Sequence, residues 1–472
     1  MPCFRVRREE TVKNQITKSV RKTGIPALVC GLVLSLLSCS GNPEAYKDID
    51  DAVVYSNDFD KGLEEIRKGQ EGYPPVYPAR NAISLFLDRG LLEHYAGYYR
   101  ASSLDLQEAE RLIEEAYTRS ISESVASYIA NDNTKTYPGE DYEDIYINVF
   151  NALNYYSRGD LEGAMVEIRK ITISSGKLDM LSRKYENARP EIQDWVMDQL
   201  RNFGIFYYPE FPPGQAVNFS NSALARYLSL LFYLGDGKDD DARIEFEQLR
   251  AAYSDNPNIY KTPFPVSAAD AMNVPPGKAR LNIISFIGLS PVKEEGIFPN
   301  AFPFLRNSYL RSAVFKLPKF AERKSGISRI EVVVSGGGNF SLELLEDMGA
   351  VIKETYNARF SNLFFKTYIR TMLKYAAADA SAVRAAERRS SSAAMLSAII
   401  AKSAIDASES ADIRMSRYLP DKAYIGGFNL APGTYTVTVN YLSGRRIIAS
   451  DEHRNVMVRP GVLNLIESVS LR

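Results

Sequence analysis

Residues 142–171 read YEDIYINVFNALNYYSRGDLEGAMVEIRKI. Ile145, Val149, Leu153 and Tyr156 recur at helical spacing, which predicts a helix with one apolar face. Arg158-Gly159-Asp160 interrupts it. Gly159 suits the left-handed position after a helix end, and Asp160 can cap the next helix. Leu161, Ala164, Met165, Ile168 and Ile171 then form a second stripe. Gly163 and Ala164 are small where the two helices would cross. The stretch reads as one helical hairpin, and a hairpin alone cannot bury both stripes.

Outward from it the pattern recurs. Residues 224–253 offer Leu224, Leu228 and Leu231, a Gly-containing turn, then Ala242, Phe246, Leu249 and Tyr253. Residues 91–117 offer Tyr95 and Tyr98, then Leu106, Ala109, Ile113 and Ala116. These units resemble tetratricopeptide (TPR) repeats with the Gly, Tyr and Ala positions only partly filled. The aligned Ala109, Ala164 and Ala242 lie 55 and then 78 residues apart, not about 34, so the array is degenerate or interrupted. Stacked pairs would bury each other's apolar faces and present a concave surface to a peptide or protein. A plain bundle whose grooves bind nothing is the competing structural reading.

From Ala279 the texture changes. RLNIISFIGL, RSAVFKL and RIEVVVS are rich in β-branched and aromatic residues and read as strands. In residues 434–441 Tyr435, Val437, Val439 and Tyr441 alternate with Thr434, Thr436, Thr438 and Asn440, as in a half-buried strand. Ser443-Gly444 turns it into Arg446-Ile447-Ile448, a hairpin. Between the strand groups, residues at about 342–411 read as a helical insertion, with a stripe through Met348, Ile352, Tyr356, Phe360, Leu363 and Phe364. The expected fold is α+β. A TPR-like helical-repeat domain (79–275) precedes a β-rich domain (276–472) with the inserted helical hairpin.

The N-terminus carries a different message. Arg5, Arg7, Arg8, Lys13, Lys18, Arg21 and Lys22 precede the apolar run Ile25–Leu37, the layout of a secretory signal. The run is too short to span a bilayer, which takes about 20 apolar residues. Leu36-Leu37-Ser38-Cys39 resembles the lipobox of bacterial lipoproteins. That resemblance implies cleavage after residue 38, lipidation of Cys39, and a tether with a first helix over 39–78. Ser40 in place of Asp implies the outer membrane, with the protein facing the periplasm. An ordinary signal with an incidental cysteine is the alternative.

Composition narrows the function classes. Net charge is −1, so no global electrostatic case exists for nucleic acid. The three cysteines are Cys3, Cys30 and Cys39, which leaves the body without a disulfide or a cysteine–zinc site. The two histidines, His94 and His453, are scarce material for triads and most catalytic metal sites. Tyrosine (29) and phenylalanine (22) against the lone Trp195 suit helix packing better than a sugar-stacking platform.

Single candidates each meet a plainer alternative. Glu140, Asp141, Glu143 and Asp144 could bind a cation or a basic peptide, yet carboxylates are also favoured at a helix start. Ser174-Ser175-Gly176-Lys177 and Lys324-Ser325-Gly326 match fragments of the penicillin-interacting signature but lack its Ser-Asp-Asn element. Gly336–Gly338 lacks phosphate-loop spacing and reads as a turn. His94 has no second histidine near it and reads as packing or surface. Arg311, Lys316, Lys319, Arg323 and Lys324, interleaved with Phe315 and Phe320, could meet lipid headgroups or an anionic glycan, or form a solvated surface. Tyr207, Tyr208 and Phe211 are the only aromatic group suited to a sugar pocket. No catalytic, cofactor-binding or metal-ligating set emerges.

The order of motifs also carries a wider resemblance. Pro138-Gly139-Glu140-Asp141-Tyr142-Glu143, Ala152-Leu153-Asn154-Tyr155, GDLEGAMVEIRK (159–170) and NFSNSALARYLSLLFYLG (218–235) come first. GLSPVKEE (288–295), Asn357-Ala358-Arg359-Phe360, ADIRMSRYLP (411–420) and LAPGTYTVTV (430–439) follow. Together they resemble a family of TPR-containing bacterial envelope lipoproteins. The family implies a lipid-anchored helical-repeat protein with a β-rich C-terminal part, and no reaction. The expected function is a non-enzymatic scaffold for an envelope protein partner. A solute- or glycan-binding lipoprotein is the alternative, and a wall-cleaving enzyme would need paired carboxylates the sequence does not space.

Overall fold

The computed structural model of the chain describes residues 46–122, 135–171, 221–299, 314–388 and 391–472, and the single positions 133 and 194. Cys39, Ser174 to Lys177, Trp195, Tyr207, Tyr208, Phe211 and Arg311 lie outside the described residues.

The fold is α+β, with helices N-terminal and sheets C-terminal. The helices are α1 (Lys47–Asp51), prolonged by a π-turn at Ala52–Ser56, α2 (Phe59–Glu71), α3 (Ala82–Tyr95) and α4 (Tyr99–Ser122). Then come α5 (Asp141–Ser157), α6 (161–171), α7 (Ala223–Gly235), α8 (Asp239–Asp255) and the short α9 (Val266–Asp270). Three hairpins, α3–α4, α5–α6 and α7–α8, turn on Gly97, Gly159 and Gly237, whose φ angles are 82°, 76° and 70°. Each closes with the same bond five residues back: Tyr98 N to Glu93 O at 2.8 Å, Asp160 N to Tyr155 O at 2.9 Å, Lys238 N to Tyr233 O at 2.9 Å. This is the Schellman cap, and a side chain with a Cβ is strained at its left-handed position.

The strands are β1 (Ala279–Leu289), β2 (Val292–Pro299), β3 (Val314–Ala321), β4 (Arg329–Val334), β5 (Gly338–Ser341) and β6 (Glu343–Asp347). The helical hairpin α10 (Met348–Arg388) and α11 (Ser391–Ser408) follows, then β7 (Pro420–Leu430), β8 (Gly433–Ser443), β9 (Arg446–Val458) and β10 (Asn464–Ser470). Two four-stranded sheets result, ordered β10-β1-β7-β6 and β5-β4-β8-β9, with β2-β3 as a separate ribbon. Only β10 runs parallel to its neighbour among these pairs, Leu281 facing Asn464 and Ile287 facing Ser470.

Strand β1 is buried along its whole length. Leu281, Ile283 and Ile287 face the second sheet, meeting Ile330, Val332, Val437 and Val439 in a sandwich core. Ile284, Phe286 and Leu289 face the helices and join a cluster with Phe150, Leu153, Leu228 and Leu231. The layers are therefore helix, sheet, sheet. Phe150 of α5 lies 5.1 Å from Phe286 of β1, ring centre to ring centre.

Three expectations change. Helix α5 is buried on all sides from Asp141 to Asn154, not on one stripe, because neighbouring helices and the first sheet enclose it. The insertion starts later than expected: Glu343–Asp347 is strand β6, paired to β7, and the helix begins at Met348. The basic patch is only partly a free surface: Lys319 and Lys324 are exposed, but its other described members are engaged. Lys316 pairs with Glu295 at 2.8 Å, Arg323 Nε donates to Ser290 O at 2.8 Å, and Phe315 and Phe320 pack on Phe364 and Tyr356 of α10. Burial pushes the Arg323 guanidinium down to about 10.

The strand expected at 434–441 is present, with Val437, Val439 and Tyr441 buried, and Gly444 (φ 61°) turns β8 into β9. Gly336–Gly338 forms the β4–β5 turn. Among the described residues no helix is long and apolar enough to cross a membrane.

Candidate functional site

The acidic knot builds the α5 start and ties it to distant segments. Glu143 reaches back to the Glu140 N–H at 2.7 Å, one half of a capping box. Its carboxylate also accepts from Tyr137 OH at 2.8 Å and from Ser416 N at 2.6 Å. Asp141 pairs with Arg359 of α10, and Glu140 with Lys293 of β2. Beside this knot, Asp88 of α3 accepts from Tyr77 OH at 2.7 Å, Ser416 Oγ at 2.9 Å and Arg417 N at 2.7 Å. Burial pushes Asp88 up to about 6, and burial with the nearby Glu140 charge pushes Glu143 up to about 7. Perturbed carboxylates are functional candidates, but these two are enclosed and saturated with donors. They fasten Ser416 and Arg417 to the helices. Ser325 likewise serves a turn, donating to Arg472 O at 2.6 Å.

Water reaches a different place. An open cleft of about 530 Å³ lies where the β9 and β10 strands meet α3, α4 and the segment Ser56–Phe59. Both histidines of the chain line it. This corrects the expectation that His94 has no second histidine near it, since chain folding, not sequence proximity, brings His453 there.

His94 is enclosed among Tyr95, Tyr99 and Phe150, with ring centres at 5.5, 5.8 and 5.1 Å. Its Nδ1 lies 2.7 Å from Asn154 Oδ1, and its Nε2 lies 2.6 Å from Glu467 Oε1. The Asn154 amide is oriented by its Nδ2, which donates to Ser102 Oγ at 2.8 Å. An acceptor at each ring nitrogen favours two N–H donors, the imidazolium form. Burial opposes that charge, but the Glu467 carboxylate outweighs it and holds His94 above its ordinary value.

The opposite wall carries a hydrogen-bond relay. His453 Nε2 meets Asp451 Oδ2 at 3.0 Å, and Ser468 Oγ donates to the same oxygen at 2.8 Å. Tyr441 OH lies 2.5 Å from Ser468 Oγ and 3.1 Å from Ser285 Oγ, so with Ser468 donating onward the relay runs Ser285, Tyr441, Ser468, Asp451. Burial works to raise the Asp451 carboxyl, but the bonds from His453 and Ser468 hold it below the usual range. The carboxylate stands between hydroxyl and imidazole. A nucleophilic serine needs the imidazole itself as its base, and here Ser468 faces a weak base instead.

Two further details shape the cleft. Ser470 is 2% exposed, and its Oγ has no hydrogen-bond partner. The ends of β10 are capped from the helices: Tyr156 OH bridges Leu463 O and Leu465 N at 3.0 Å each, and Asn57 Oδ1 accepts from Leu471 N at 3.3 Å. Among the described residues no group of His, Cys, Asp and Glu is arranged to hold a metal ion.

The sequence pointed to none of Asp451, Glu467, Ser468 or Ser470 as a site. The usable signal was the rarity of histidine, since both copies meet here. No family model, curated protein or solved structure matches the chain.

Proposed function

We propose that this is a lipid-anchored protein of the bacterial cell envelope that acts by binding, without catalysis, as a scaffold for an envelope protein partner. The observation that carries the reading is Leu36-Leu37-Ser38-Cys39 at the end of a short apolar run after a basic segment. A diacylated cysteine supplies more than the single chain that gives only marginal membrane attachment. The anchor belongs to the outer membrane, with the body in the periplasm.

Three hairpins ending in the same cap support a degenerate TPR-like origin for the helical half. One face of that stack is already occupied by the chain's own β1, through Phe150 and Phe286. Binding is therefore read at the cleft beside β10 rather than along a concave helical surface. The Ser468–Asp451–His453 order supports binding over hydrolysis. A second reading, a solute- or glycan-binding lipoprotein, is favoured by the mixed polar and aromatic walls of the cleft, among them Tyr95, Tyr99 and Phe59.

The test is metabolic labelling with a radioactive fatty acid in a bacterial host, with cross-linking from the cleft wall in the same cells. Incorporation that vanishes in Cys39→Ala, and one specific envelope protein trapped, is the expected result. An unlabelled chain that localises normally overturns the anchor; turnover of a wall polymer by pure protein overturns the binding role.

A further inference from the structure

We infer that the cleft recognises an extended polypeptide segment, which adds as a further strand to the free edge of β10. The inference rests on the reading of this chain as a binding protein and names the chemistry of what is bound.

Strand β10 ends its sheet, with β1 on one side and no strand on the other. The N–H and C=O of alternate residues point to the same edge of a strand. Leu465 N and Leu471 N point outward to Tyr156 and Asn57, so the groups of Glu467 and Val469 point outward too. Those outward groups meet no hydrogen-bond partner among the described residues, and both residues line the cleft. An unpaired edge is a template for another chain, and native proteins normally cover or blunt it. Here the two ends are capped and the middle is left open.

The surroundings fit a peptide. A volume of about 530 Å³ lies within the roughly 300–1,000 Å³ of ligand sites. Main-chain hydrogen bonds would give affinity, and pockets for alternate side chains specificity. Ser470 Oγ, buried at the same strand, lacks a partner that a bound segment can supply. Asp451 stays ionised, and both of its bonds fall on Oδ2, which leaves Oδ1 for an incoming cation. The preferred segment is therefore extended and carries a lysine or arginine.

The experiment selects binders to the full chain from a display library of random nine-residue peptides, then remakes the best one with single N-methyl groups at successive amides. Affinity falling at least tenfold at every second amide, and unchanged at those between, is the expected pattern. Hydrogen exchange at the Glu467 and Val469 amides should slow at least tenfold on binding. Val469→Pro, which removes an outward donor together with the packing of the valine side chain on the helical core, should abolish capture, with Asp451→Asn weakening Lys- and Arg-containing binders several-fold. The N-methyl scan holds even if the proline variant misfolds. No binder, indifference to N-methylation, or protection of those amides by oligosaccharides alone overturns the inference. Because none of these readouts involves the lipid, an unlabelled Cys39 would remove the envelope reading and leave this one standing.

Discussion

The first sheet carries a glutamate near each of its two edges, and the chain treats them in opposite ways. On β6, Glu346 is fully buried and accepts from Tyr146 OH at 2.7 Å, Tyr260 OH at 2.7 Å, Ser222 Oγ at 2.9 Å and Leu224 N at 3.2 Å. On β10, Glu467 meets one partner, the His94 ring, beside an open cleft. Neutral donors from three separate segments close the first edge. A single ion pair guards the second and leaves the backbone beside it unpaired. The first edge is held by saturated, buried bonding, and the second stays accessible from the cleft.

The largest expected effect comes from breaking the sealed edge. Glu346→Ala strands three hydroxyls and an amide in the interior, which should cost about 4 kcal/mol of unfolding free energy by chemical denaturation. His94→Ala is next, at about 2 kcal/mol, because Glu467 and Asn154 lose their donor but Glu467 can still reach water.

The two edges should also separate by pH. Burial raises Glu346, so the folded state holds its proton more tightly than the unfolded chain does. That stability is present below the ordinary carboxyl value near 4.5 and is lost as pH rises through the folded value. Glu346→Gln should therefore gain on the parent above about pH 4.5. His94 is raised as well, so its ion pair contributes fully below about 6.5 and fades as pH rises through the folded value. The advantage of the parent over His94→Gln should shrink only in that higher range. Coincident pH profiles for the two variants would break the contrast.

Smaller effects sharpen it. Tyr156→Phe removes the hydroxyl that caps Leu463 and Leu465, and should cost about 1 kcal/mol while lengthening the open part of β10, visible as faster exchange at Leu465. Ser470→Ala should change stability by less than about 0.5 kcal/mol, since its hydroxyl has no partner to lose.

Local chemistry was legible and distant pairing was not. Gly159 and the glycine turn at Gly237 marked their hairpins because a left-handed cap favours glycine at those points. Gly97, by contrast, turns the chain ahead of Tyr98, which the periodicity places with Tyr95 in the first helix. The alternation at 434–441 marked β8 because its two faces meet different surroundings. Strand β6 was missed because Leu344, Leu345 and Glu346 are good helix formers. Pairing with β7 and the hydroxyls around Glu346 override that local preference. The cleft escaped for another reason. His94 and Glu467 lie 373 residues apart, and nothing in either neighbourhood encodes their meeting.

Strand β1 has both of its edges bonded by segments made much later, Pro420–Leu430 on one side and Asn464–Ser470, with Asn464 lying 182 positions beyond Asn282, on the other. During synthesis, the strand that is buried along its whole length therefore emerges long before either of its partner strands. Such an unpaired apolar strand is the kind of surface that chaperones, or transient cover from a chain's own helices, protect until the last segment arrives.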